Sequence, residues 1–178
     1  MSENPIIIAG IPIPFHDPVL LAILAVHVAA GLAGTISGIL AMVNKKGPGR
    51  HPLFGMVYYR CLLVAFVTAS ILAATRWTED YYLAILGTLA FATASLGRAA
   101  LHGHRRSRIK IHISGMGLSC TLMLVAFYMD TGMNLPLWRD LPAFSYWMAP
   151  VAIGAALILY SLIKYSRGGQ PNGKADRN

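Results

Sequence analysis

Five stretches of this sequence are apolar, uncharged at their centres and at or above the ~18 residues that a membrane-crossing helix needs. The first runs from Pro18 to Val43 and the second from Met56 to Thr75. The third covers Tyr81 to Leu101, the fourth Ile111 to Met129 and the fifth Ser145 to Tyr165. Each is bounded by charge, proline or glycine. In hydrocarbon a backbone must satisfy its own hydrogen bonds, so such runs are helices. Strands of a membrane barrel would alternate polar and apolar residues over about ten positions, and none of the five does. Composition agrees: 56% of the 178 residues are hydrophobic and 12% charged, against about a quarter charged in soluble domains. That balance excludes a disordered chain and a soluble nucleic-acid binder, despite a net charge of +8. Two cysteines exclude a disulfide scaffold. The expected fold is an all-α integral membrane bundle of five transmembrane helices. It occupies residues 18–165, between a Pro-rich arm (1–17) and a polar tail (166–178).

Charge sets the expected orientation. All fifteen basic residues except Arg76 and Arg139 fall in the loops after spans one and three, their flanks, or the C-terminal tail. All seven acids except Asp176 fall on the other side. Basic loops stay cytoplasmic, so the N-terminus is expected outside and the C-terminus inside a bacterial inner membrane. Aromatic rings gather at the two boundaries, Trp77, Tyr81, Tyr82, Trp138, Tyr146 and Trp147 at the outer and Tyr58, Tyr59, Tyr160 and Tyr165 at the inner. That is the ordinary place for amphipathic rings. The arm has no basic n-region or cleavage site and does not read as a signal peptide. Pro5, Pro12 and Pro14 within it, with Pro18 at its end, forbid a regular helix, and it is expected to lie on the outer surface or against a partner.

Two features hint at a parallel duplication of a helical hairpin. Leu21-Ala-Ile-Leu recurs as Leu83-Ala-Ile-Leu, and His51 and His112 each precede a Val-Ala-Phe word by the same spacing. Repeats in the same orientation imply an axis along the membrane normal, and they put His51 and His112 at equivalent depths. Small residues line spans one (Gly31, Gly34, Ser37, Gly38) and three (Gly87, Ala90, Ala94, Gly97). Helices in lipid approach closely through such faces, so these two spans are expected to form the tight centre of the bundle.

Histidine is the informative residue. His51, His102, His104 and His112 lie near the inner ends of their spans, and His27 lies in span one, ~15 Å below the outer boundary. His27, His51 and His112 are each followed three or four positions on by glycine, on the same helical face. Glycine there makes room for a flat cofactor or for a neighbouring helix. Two neutral imidazoles at one depth could ligate a b-type haem, with Arg60, Arg98 and Arg108 receiving propionates. With His102 or His104 added, the set could instead hold zinc. Alternatively these groups are interfacial and contact lipid headgroups. An ionisable residue as deep as His27 is a functional candidate by default, as a single ligand, a proton relay or a quinone contact. It could equally be satisfied by Thr68, Ser70 or Thr93. Cys61 and Cys120 read as packing residues. No Walker, GxSxG or HExxH motif is present, and every acid falls in a loop or tail, which argues against a proton-coupled transporter.

The run from His51 to Tyr58, the buried His27, His112-Ile-Ser-Gly-Met116 and the segment Asn134 to Pro142 before the final span together resemble an uncharacterised family of small bacterial membrane proteins. Its members carry His-Arg-x-x-Gly-x-x-Tyr at the start of the second span, where this chain has Pro52 in place of the arginine. The resemblance implies the helical membrane fold and no activity. Two functions are therefore expected: an accessory subunit of a larger membrane assembly, docked through its arm and tail, or a membrane redox protein carrying haem or a metal. The partners expected are lipid and other membrane subunits, with no nucleic acid.

Overall fold

The structure is a computed structural model that describes residues 6–8, 11–13, 15–102, 107–135 and 140–168. Five helices carry the architecture: α1 (Pro18–Val43), α2 (Arg50–Thr75), α3 (Trp77–Ala99), α4 (Arg108–Thr131) and α5 (Ser145–Gly168). All five are long and apolar enough to cross a membrane. Ahead of them, β1 (Ile6–Ile8) and β2 (Ile11–Ile13) pair antiparallel, with Ile7 opposite Pro12. The proline-rich arm thus avoids helix by pairing with itself, and Phe15 behind it is buried.

The helix boundaries follow local chemistry. Asp17 caps α1, its carboxylate accepting from the Val19 and Leu20 amides at 2.8 and 3.1 Å. Pro18 takes the first helical position, where its missing N–H costs nothing. The turn into α2 needs left-handed backbone at Gly47 (φ 138°) and Gly49 (φ 113°), conformations that glycine adopts without penalty. Arg76 alone separates α2 from α3. Its side chain pairs with Glu79 and, at 3.5 Å, with Asp80. These carboxylates sit in the first turn of α3, where the helix dipole favours them. The acidic residues read as a loop before span three therefore belong to the helix itself. Likewise Asp130 lies in the last turn of α4 rather than in a loop.

Packing joins α1 to α2, α2 to α3, α3 to α4, and α4 to α5. The buried cluster at the centre is Tyr58, Leu62, Ala90, Ala94 and Cys120. The expected α1–α3 centre is not formed. A Cβ on Gly34 would meet Cys61 of α2 and Met123 of α4, and one on Gly38 would meet Tyr58 and Cys120 of the same helices. Gly97 of α3 instead lies against Gly115 and Met116 of α4. Small faces permit close approach but do not choose the partner. The short connections make each small face meet the helix that follows it.

The rings divide. Trp77, Tyr81 and Trp147 are exposed near one end, Tyr160 and Tyr165 near the other, as boundary rings should be. Tyr58 and Tyr146, expected at the boundary, are buried instead. Tyr58 fills the notch at Gly38, and Tyr146 lies over Gly132. Trp138 is outside the described residues.

Candidate functional site

The end of the bundle that carries the α1–α2 and α3–α4 connections holds most of the described basic residues, and is called here the basic end. Helices leave their last four carbonyls without intrahelical partners. At this end two histidines supply the missing donors. His51, at the start of α2, donates from Nδ1 to the Ala41 carbonyl in the last turn of α1, at 2.8 Å. His112, at the start of α4, donates from Nδ1 to the Gly97 carbonyl in the last turn of α3, at 3.0 Å. A carbonyl only accepts, so each Nδ1 carries the hydrogen and each neutral ring keeps its lone pair on Nε2. Histidines that bind metal are held in this manner, with the other ring nitrogen on a carbonyl.

The two rings meet. Their centroids are 6.4 Å apart with planes at 82°. Two imidazoles that share one metal, at 2.0–2.1 Å per nitrogen, have centroids about 5–6 Å apart. The pair lies near that spacing. Seven residues along from the histidines, the same helices touch again: the Tyr58 hydroxyl and Ser119 Oγ are 2.8 Å apart, both buried.

The remaining candidates are not drawn into this pair. His102, in the 3-10 turn after α3, is exposed. His104 lies outside the described residues. Among the described residues no three of His, Cys, Asp and Glu come together, so the four-histidine zinc arrangement is not assembled. Arg98 lies 4.9 Å over the Tyr59 ring, whose hydroxyl meets Ser95 Oγ at 3.1 Å. Arg60 and Arg108 are exposed. The glycines after the histidines also divide: open space surrounds Gly31 and Gly55, whereas Gly115 is filled by Gly97 and the Thr93 carbonyl.

His27 stands apart. Its Nδ1 is 3.1 Å from the Ala65 carbonyl and 3.0 Å from Thr68 Oγ1. Of the three hydroxyls expected to satisfy it, Thr68 does so. Ser70 and Thr93 bond to carbonyls of their own helices. Cys61 and Cys120 are free thiols packed against α1.

Lys46 belongs to the basic end and sequence reasoning missed it. Its ammonium donates to the Ala41 and Met42 carbonyls at 3.1 and 2.9 Å. It shares the Ala41 oxygen with His51. Burial, and then the charge of Lys164, lower its pKa from the usual lysine value. The signal was present in Lys45-Lys46-Gly47, since lysine just past a helix end is a ready carbonyl cap. No protein-family model, curated protein or solved structure matches this chain.

Proposed function

We propose that this chain is a membrane redox protein that carries a b-type haem between His51 and His112. One observation carries the reading: two imidazoles meet with their Nδ1 hydrogens already engaged, and among the described residues no third ligand accompanies them. A haem brings its own equatorial nitrogens, so two axial imidazoles complete the iron. A structural zinc site would need two more ligands. The Ala41 and Gly97 carbonyls orient the rings and raise their basicity. One-electron transfer is the chemistry that such a group supplies when bound. The full chain purified from its native membrane is expected to show a Soret band and stoichiometric iron. His112→Ala and His51→Ala should each lose both. Colourless, iron-free protein at full yield overturns the reading.

The same reading sets the N-terminus outside and the basic end at the cytoplasmic face of a bacterial inner membrane, in keeping with the charge distribution. It also treats α1–α2 and α3–α4 as copies of one hairpin. His51 and His112 are one contacting pair, and Tyr58 and Ser119, 61 positions apart, are another. Contact between equivalent residues is what an axis between α2 and α4 produces. Matching the two carbonyls, Ala41 with Gly97, also aligns Gly34 with Ala90 and Gly38 with Ala94. In that alignment the Leu21 and Leu83 words fall out of register.

A second reading, as an accessory subunit of a membrane assembly, rests on α5. Among the described residues its main packing partner is α4, and Val151, Ile153, Leu157, Leu159 and Ile163 are exposed along it. Deleting residues 1–14 should then abolish co-purification of a partner. A monodisperse chain that brings down nothing from its native membrane rejects it.

A further inference from the structure

The two carbonyls that hold the histidines are not loaded alike. At the end of α3 the Gly97 carbonyl takes His112 Nδ1 at 3.0 Å, and among the described residues no other side chain bonds it. At the end of α1 the Ala41 carbonyl takes both His51 Nδ1 at 2.8 Å and the Lys46 ammonium at 3.1 Å. Both bonds end on one oxygen, so the ammonium and His51 Nδ1 lie at most about 6 Å apart. The local chain builds this arrangement. Asn44 takes the Leu40 carbonyl at 2.7 Å, and Lys46 reaches the next two, bonding Met42 as well at 2.9 Å. The lysine is therefore tied beside the histidine at two points.

For an imidazole that ligates iron through Nε2, this sharing has two consequences. A carbonyl oxygen has two lone pairs, and one that also accepts from an ammonium offers less negative charge to His51. The weaker Nδ1–H bond leaves the ring less basic, and so a poorer donor to oxidised iron. The second consequence is direct. Oxidised iron carries one more positive charge than reduced iron, and a cation held near its ligand opposes that charge. Both effects favour the reduced state, and hydrogen bonding around the ligands is among the means by which a protein sets a haem potential.

Building on the haem reading above, we propose that Lys46 is a positioning residue that raises the reduction potential of the site through the Ala41 carbonyl and His51. The two axial imidazoles are then unequal, His51 the weaker donor and His112 the stronger.

The test titrates the full chain, purified from its native membrane, by absorbance against ambient potential, with unfolding temperature read alongside. Lys46→Met keeps the apolar stem and removes both the charge and the bonds. It should retain its haem and shift to lower potential, with about fivefold more oxidised than reduced haem at the parent's midpoint, as expected of one partly screened charge at this range. Lys46→Arg, which keeps charge and donors, should stay near the parent. Lys45→Met removes the same charge from the exposed neighbouring position, which has no bond to Ala41, and should shift less than half as far. A parent-like potential in Lys46→Met with a lowered unfolding temperature would make Lys46 a helix cap alone, and overturns the proposal while the haem reading stands. An equal shift in Lys45→Met would mean surface charge without the shared carbonyl, and overturns it too. A parent chain with no Soret band removes the haem reading and this inference together.

Discussion

The hairpins α1–α2 and α3–α4 share a theme and resolve it differently. Each begins with a small-residue helix, turns at the basic end, and returns with a histidine that caps the helix before it. In the first hairpin the small residues form a notch that side chains fill. A Cβ on Gly38 would come within 3.1 Å of the Tyr58 ring, and one on Gly34 within 3.4 Å of Cys61 Cβ. In the second hairpin backbone meets backbone. A Cβ on Gly115 would lie 2.7 Å from the Thr93 carbonyl and 2.8 Å from Gly97 Cα. A ring can tilt to admit a methyl group, whereas a helix backbone can only move as a whole. The comparison teaches that equal smallness in sequence gives unequal tolerance in the fold.

Four substitutions probe that difference, all read by reversible unfolding in mixed micelles. Gly115→Ala should be the most damaging, by about 3 kcal/mol, the upper end for overpacking against groups that cannot yield. Gly38→Ala asks only that Tyr58 move by a few tenths of an ångström, and should cost about 1–2 kcal/mol. If the two cost the same, the contrast between the hairpins fails. Tyr58→Phe keeps the ring in its notch and removes one hydrogen bond, while Ser119 still donates to the Met116 carbonyl at 2.9 Å. A loss of about 0.6 kcal/mol is expected, typical of such bonds between membrane helices. A much larger loss would mean that this bond, rather than ring packing, holds α2 to α4. Gly55→Ala enters open space and should be neutral, or stabilising by up to ~1 kcal/mol through helix propensity. Measurable destabilisation there would show that the first hairpin is more tightly filled than its glycines indicate.

Much of this architecture was legible because hydrocarbon imposes one rule on the backbone. The first span was bounded correctly at Pro18 and Val43, where Asp17 and Asn44 mark the change of solvent. The α2–α3 joint was not, because Glu79 and Asp80 look like loop residues until Arg76 and the helix dipole are seen to hold them in the first turn. Histidine recurs before Val-Ala-Phe, and the structure brings the rings of His51 and His112 together. That they cap the preceding helices could not be read, since the acceptors are backbone carbonyls and every residue has one. Nor could the ring of Tyr59 beneath Arg98 be read, since that contact joins α2 to α3.

The sequence by itself determined that five helices exist and which ends gather the positive charge, because both follow from transfer between water and lipid, residue by residue. Only the tertiary structure decided which small face meets which helix, and that two histidines meet while His102 stays exposed. Those outcomes depend on close packing and on hydrogen bonds to carbonyl groups, and neither leaves a mark in the identity of a side chain.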